Sequence, residues 1–298
     1  MPPCGRGPNP IDAAAPCLYD AAVPDIPDVP WRQTNRASWD ERVGVHVESD
    51  FYDVEGFLAG RDTLRTFEPD ELGPVEGCSL VHLQCHFGLD TLSWARRGAT
   101  VTGLDFSPPA IDEATRLADA LGIDASFVCA DVYDAPQVLG RRFDVVYTGR
   151  GALNWLPDLD RWAGVVAALL NPGGRFYLLE FHPLGWITAD ESLDIVYDYF
   201  NNGTPFIDDS AEDYADPNRP LVNAMTYEWP HGLGEVLSAL AGTGLRIEFL
   251  HEFDEISHLR WPFLEEQPGR RRVYRLPAGM PSLPLEYSIL TRAPEVPH

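Results

Sequence analysis

The sequence predicts an α/β fold on a doubly wound, seven-stranded sheet, and three observations carry that expectation. Short apolar runs alternate with helical stretches, the pattern of parallel strands joined by crossover helices. Seven such runs occur, at 80–84, 101–105, 127–131, 143–148, 175–182, 246–253 and 285–291. The second and third close on Asp105 and Asp131, at the strand ends where open α/β sheets meet their ligands.

Taken in order, residues 1–30 are rich in Pro, Ala and Asp without periodicity, which predicts a flexible leader carrying no chemistry. Trp39, Val43 and His46 then recur at helical spacing and lead into the aromatic run Phe51-Tyr52-Asp53-Val54-Glu55-Gly56-Phe57, so residues 31–78 are expected to form an N-terminal helical cap. Within the sheet region, helices are expected at about 90–97, 108–121, 159–170 and 233–243, several with capping residues before them and Gly after them. The connection 183–230 is too long for an ordinary α/β loop and predicts an inserted lid. Its stretches 193–200 and 221–229 are expected to pair as a hairpin, and it holds ten carboxylates against Arg219 alone.

The 298 residues suffice for a large core without metal or disulfide staples. A formal charge of −24 repels phosphate backbones and anionic lipids, so neither nucleic acid nor a membrane is an expected partner. All 22 basic residues are arginine, which excludes Schiff-base lysines and a phosphate-binding P-loop lysine. Cys4, Cys17, Cys78, Cys85 and Cys129 form an odd set without a Cys-x-x-Cys pair, which fits reduced thiols in the cytoplasm. The N-terminus lacks an apolar signal region and no run approaches a membrane span.

The most informative stretch is Leu80-Val81-His82-Leu83-Gln84-Cys85-His86-Phe87-Gly88-Leu89-Asp90-Thr91-Leu92, an apolar strand breaking into a turn and then an amphipathic helix. This puts backbone N–H groups and a helix N-terminus beside a ligand. Seventeen positions beyond Gly88, Gly103-Leu104-Asp105-Phe106-Ser107 brings a carboxylate to where a ribose diol would sit. Ala130-Asp131-Val132 then offers a carboxylate and an adjacent N–H to an adenine edge.

With the strand 143–148, the turn Leu156-Pro157-Asp158 and the Asn171-Pro172-Gly173-Gly174 approach to the fifth strand, the chain resembles class I S-adenosylmethionine-dependent methyltransferases over about residues 31–291. The resemblance implies a Rossmann-like fold over 31–298 and S-adenosylmethionine as cofactor. It also implies that Gln84, Cys85, His86 and Gly88 cradle the methionine half, that Asp105 and Phe106 hold the ribose, and that Asp131 and Val132 meet the adenine, with Thr148 and Gly149 completing the site. Gln84 and His86 stand where the family usually has glycine, and His82 where it often has an acid. The chain looks like actinobacterial small-molecule methyltransferases, some of which methylate carbon 3 of indoles. A dehydrogenase also carries an acid after its second strand, but Gly-x-Gly-x-x-Gly is absent. The altered loop also leaves open a cofactor-binding regulator without catalysis.

Methyl transfer is an in-line displacement, so the protein must align the acceptor and exclude water, with a base needed only where the nucleophile starts protonated. His46, Tyr52, Glu180 and His182 are the candidate catalytic residues, by proximity to the expected strand tips. Trp31, Trp39, Asn154, Trp155, Tyr227 and Trp229 are the candidates for a pocket holding a small aromatic or heteroaromatic acceptor, an indole being the first expectation and an amine or phenol the alternative. Cys85 and His86 are adjacent and not expected to act as a nucleophile pair. His251 and His258 lack the spacing of a metal site, and none is expected.

Overall fold

The computed structural model describes residues 30–295, so the leader expected over 1–30 lies, save for Pro30, outside the described residues. Three helices precede the sheet: α1 (Trp31–Glu48), α2 (Val54–Leu58) and α3 (Glu68–Leu72). Strands and helices then alternate through β1 (Ser79–Leu83), α4 (Leu89–Ala95), β2 (Thr100–Asp105), α5 (Pro108–Leu121), β3 (Ala125–Cys129), α6 (Ala135–Leu139), β4 (Phe143–Thr148), α7 (Leu159–Leu169) and β5 (Leu170–Phe181). The short strands β6 (Phe206–Asp208) and β7 (Thr226–Glu228) lie in the long connection to α8 (Leu233–Gly242). The chain closes with β8 (Arg246–Phe253), β9 (Glu265–Glu266), β10 (Tyr274–Arg275) and β11 (Glu286–Arg292).

The seven-stranded sheet runs β3-β2-β1-β4-β5-β11-β8. Strands β1 to β5 are parallel, and β11 is antiparallel to both β5 and β8. Strand order reverses between β1 and β4, and the crevice outside their carboxyl ends is where such a fold binds its ligand. This is the doubly wound, Rossmann-like sheet that the alternation of apolar runs predicts.

Local chemistry sets the element ends. Ser107 caps α5 through the Ala110 N–H, with Pro108 in the first turn and Gly122 left-handed at the far end. Ala110, Ile111, Ala114, Leu117 and Ala118 form its buried stripe. Asp158 caps α7 through the Arg161 N–H, and Trp162, Val166 and Leu169 fill one face of the sheet. A Cβ on Gly103 would meet the Phe127 ring and the Cys85 sulfur at 2.6–2.8 Å, so only glycine lets β2 pass beneath the loop after β1.

The segment 183–230 departs from its expected pairing. Strands β6 and β7 form the antiparallel ribbon, whereas 193–200 contributes only an isolated bridge from Ile195 to Thr188. Ile195, Val196 and Phe200 project to solvent, so the apolar content of that stretch does not make a buried strand. What orders the segment is α1: Asn35 exchanges hydrogen bonds with the Tyr227 backbone, Arg42 pairs with Asp213 at 2.6 Å, and Glu41 accepts from the Val222 and Asn223 N–H groups. Cys78 and Cys85 are free thiols, while Cys129 is disulfide-bonded, which corrects the expectation of reduced thiols at that position. Among the described residues no helix is long and apolar enough to cross a membrane.

Candidate active site

A cavity of about 790 Å³ opens over the β1/β4 switch point, within the usual range of about 300–1,000 Å³ for small-molecule pockets. Its floor is the loop after β1. Gln84, His86 and Gly88 all sit left-handed, at φ 56, 50 and 81°. The backbone therefore has alternate positive-φ positions of the kind a Gly-x-Gly-x-Gly loop provides, but two of them carry side chains. Such strain costs on the order of 1–3 kcal/mol per residue and persists where surroundings over-determine it. Here Asp105 accepts from the His86 N–H at 2.8 Å, and the Gln84 amide donates to the Ala152 carbonyl at 2.8 Å.

Asp105 and Asp131 reach the cavity from the ends of β2 and β3. Burial pushes the Asp105 carboxyl up to about 6 against the opposing pull of the Ser107 and His86 N–H groups. Asp131 accepts from the Tyr133 N–H and pairs with Arg32 of α1 at 2.8 Å. Cys85, Phe106, Val132 and Gly149 also line the cavity, but Thr148 does not and is fully buried in the sheet. Burial and the neighbouring Asp105 carboxylate push the Cys85 thiol well up, keeping it protonated and unreactive at neutral pH.

The site shows three features that the sequence reading missed. His82, buried at 3% exposure, bonds Thr91 through Nδ1, and burial brings its pKa down to about 4. Its Nε2 and the Gln84 Oε1 are buried without hydrogen-bond partners among the described residues, and both residues line the cavity. Arg150 extends beside them, paired loosely with Glu68 at 3.5 Å and Asp90 at 3.7 Å. The third feature is the stretch between β8 and β11, which brings Ser257, His258 and 269–273 to the cavity. A buried ion cluster anchors it, with Glu255 taking Arg65, Arg270 and Arg275.

The donor set fits S-adenosylmethionine. The orphaned Gln84 Oε1 acceptor suits an α-ammonium beside the unpartnered His82 Nε2, Arg150 suits an α-carboxylate, and two strand-end carboxylates suit the ribose and adenine. Among the described residues no group of His, Cys, Asp or Glu is arranged to hold a metal ion.

Of the candidate acceptor residues, Trp31, Trp39, Asn154 and Trp155 line the cavity. Trp39 is central, edge-on to Trp155 and to His86 with ring centroids 5.2 Å away in each case. Tyr227 and Trp229 do not line it. Trp229 is 3% exposed and packs edge-on against Trp31, and Tyr227 packs on the same core, because β7 and the residue after it are held against α1. Phe51, Trp186 and Tyr214 stand on the cavity wall instead.

The candidate catalytic residues divide. Tyr52 lines the cavity and shares a 2.5 Å hydrogen bond with Tyr214. His46 lies one bond behind the wall, with Nδ1 2.8 Å from His86 Nε2 and Nε2 3.1 Å from Asp213. Glu180 lies outside the cavity, its carboxylate accepting from the Gly151, Ala152 and Leu153 N–H groups and so fixing the turn after β4. His182 faces away, with Nε2 on Glu252 at 3.0 Å and Nδ1 accepting from the Leu184 N–H. Glu180 is the penultimate residue of β5 and His182 follows the strand, and both side chains are engaged with protein partners rather than with the cavity.

Fold and site together define a nucleoside-cofactor enzyme of the doubly wound class. A methyltransferase-domain family model matches residues 81–176. A demethylmenaquinone methyltransferase from Thermus thermophilus is 32% identical over 155 residues, 51% of this chain and 67% of that protein. A ubiquinone biosynthesis O-methyltransferase from Methylobacterium nodulans is 32% identical over 142 residues, 47% of this chain and 56% of its own length. The chain thus spans about half to two thirds of these curated relatives. An S-adenosylmethionine-dependent methyltransferase from Methanosarcina mazei has the same fold, with TM-score 0.51 at 17% identity over 79% of this chain and 100% of that one. One from Clostridium acetobutylicum has TM-score 0.51 at 14% identity over 84% and 94%. The chain belongs to the class I S-adenosylmethionine-dependent methyltransferases.

Proposed function

We propose that this protein methylates a small aromatic or heteroaromatic molecule, with carbon 3 of an indole as the first acceptor to test. The observation that carries the reading is the ring wall of Trp31, Trp39, Tyr52 and Trp155 facing the strand-end cradle across one cavity. Rings of this kind hold a flat acceptor through offset and edge contacts while keeping water from the reacting centre.

S-adenosylmethionine supplies an electrophilic methyl group on a sulfonium sulfur. The loop 84–88, Asp105 and Asp131 hold and orient it, with Gln84, His82 and Arg150 at the methionyl end. The aromatic wall aligns the acceptor, and the segment 183–230 acts as a lid clasped to α1. A phenol or quinol acceptor is the second reading, favoured by the names of the two relatives above.

The test is incubation with labelled cofactor and a panel of cyclic tryptophan dipeptides, tryptamines, phenols and amines, with mass spectrometry locating the new methyl. Methylation at indole C3 is the expected result. Transfer to oxygen alone moves the assignment to the phenol reading, and transfer only to aliphatic amines overturns the aromatic reading.

A further inference from the structure

We infer that His86 is the proton acceptor of the methylation, and that His46 and Asp213 are positioning residues that set its tautomer and share its charge. The inference rests on the methyltransferase reading above and adds the base to it. Its geometry is a chain of three residues from three elements: Asp213 in the segment 183–230, His46 on α1 and His86 in the loop after β1.

The order of protons along the chain follows from its end. Asp213 accepts from the Ala215 N–H at 2.8 Å on one oxygen and from Arg42 at 2.6 Å on the other, so it is a firmly held carboxylate. Its bond to His46 Nε2 at 3.1 Å then requires a proton on that nitrogen. Neutral His46 therefore has an unprotonated Nδ1, which accepts from His86 Nε2–H at 2.8 Å. His86 is left with an unprotonated Nδ1, which has no partner among the described residues, on a side chain that lines the cavity. One carboxylate thus fixes two tautomers in series and leaves a lone pair on a side chain that lines the cavity.

The surroundings hold that state. Tyr52 stacks on His46 at 4.8 Å, and Trp39 stands edge-on to both imidazoles. The charged and titratable groups facing the pair are Asp213, Arg42, Tyr52 and Tyr214, with Asp105 bonded to the His86 backbone. Burial, the neighbouring His46 and the Arg42 charge all push His86 well down, and burial lowers His46 against the raising pull of Asp213. Both rings are accordingly neutral at pH 7. Independently of titration, His86 holds φ 50°, where glycine would be free of strain, so a side chain there has a use that offsets its cost.

The step balances simply. An electron pair of the acceptor forms the new bond to the methyl carbon, the pair of the broken carbon–sulfur bond returns to sulfur, and the acceptor's N–H or O–H proton goes to His86 Nδ1. The Nε2 proton of His86 is then shared with His46, and the positive charge is spread toward Asp213.

The experiment uses the full chain and three variants. His86→Asn keeps a residue that tolerates positive φ but removes the base. Asp213→Asn keeps the shape but not the charge that orders the tautomers, and the exposed Asp209→Asn serves as a control on the same segment. With an acceptor that must lose a proton, His86→Asn is expected to lower kcat roughly 100-fold or more, a loss well beyond any change in KM or in cofactor affinity measured by titration. Asp213→Asn should lower kcat by about tenfold or more and move the acid limb of the pH profile, while Asp209→Asn leaves both unchanged. Nitrogen-15 spectra of labelled histidines provide a reading independent of any acceptor. They are expected to show Nε2–H tautomers for His46 and His86 in the parent, lost together in Asp213→Asn. Unchanged kcat in His86→Asn, or an Nδ1–H tautomer for His86, overturns the proposal. If the parent methylates no member of the acceptor panel, the acceptor reading fails, and the spectra still decide whether the three residues form the ordered chain.

Discussion

Asp105 is the residue on which the proposed cofactor site turns, and its burial makes a pH prediction. Its folded pKa is raised to about 6, so the empty protein holds a partly protonated carboxyl near neutrality. In the proposed site cofactor hydroxyls donate to the ionised form, so affinity is expected to be full above about pH 7 and to fall as pH drops through 6, by at most about tenfold per unit. Burial and the neighbouring His46 and Arg42 hold His86 well below the ordinary histidine range, so its titration does not mask the effect. Asp105→Ala should weaken S-adenosylhomocysteine binding by an amount on the order of 1.5–3 kcal/mol and abolish the pH dependence, measured by calorimetric titration, with Asp209→Ala as the unaffected comparison. Asp105 and Asp131 were legible in the sequence because a strand-end acid is a local signal. The chain from Asp213 to His86 was not, since its members are separated by 167 and 40 positions and only folding shows that they touch.

At the scale of elements, the turn after β4 illustrates how a catalytic candidate becomes a structural one. Glu180 is 4% exposed and takes three successive backbone N–H groups from 151–153, which aims the turn bearing Arg150, Asn154 and Trp155 at the cavity. Glu180→Ala strands those donors, and the expected loss is about 3 kcal/mol or more of stability, seen as a lowered denaturation midpoint; a variant that keeps its stability while losing turnover would restore the catalytic role. Sequence periodicity located all seven strands of the main sheet, most directly β1, β2 and β4, each of which buries an apolar run between helices, whereas β5 begins five residues earlier than its apolar run. It did not reveal that 254–285 walls the site, since β9 and β10 are two residues each and the stretch is held by ion pairs around Glu255 and a small cluster of Ile256, Trp261, Leu264 and Leu285 rather than by a strand or helix period. For the same reason, the rings of Tyr227 and Trp229 were visible as aromatic but not as core: which face of β7 meets α1 depends on Asn35 bonding the Tyr227 backbone, a contact 192 positions long.

At the scale of the whole molecule, the formal charge of −24 acts on the two forms of the cofactor differently. S-adenosylmethionine carries a net positive charge at neutral pH, whereas S-adenosylhomocysteine, having lost the sulfonium, is net neutral. A field of many carboxylates therefore favours the donor over the spent product, and that preference is screened by salt. The arginines at 270–272 and Arg150 sit on the cavity and oppose this locally, but several have carboxylate partners that offset part of their charge: Glu255 for Arg270, Asp53 for Arg271 and, more loosely, Glu68 and Asp90 for Arg150. Long-range acidity should then dominate at the mouth. Raising salt from about 10 mM to about 150 mM shortens the screening length from roughly 30 Å to roughly 8 Å. Over that range, titration should show S-adenosylmethionine weakening severalfold while S-adenosylhomocysteine changes little. Equal salt dependence of the two would mean that the arginine wall, not the net charge, sets the potential that the cofactor meets.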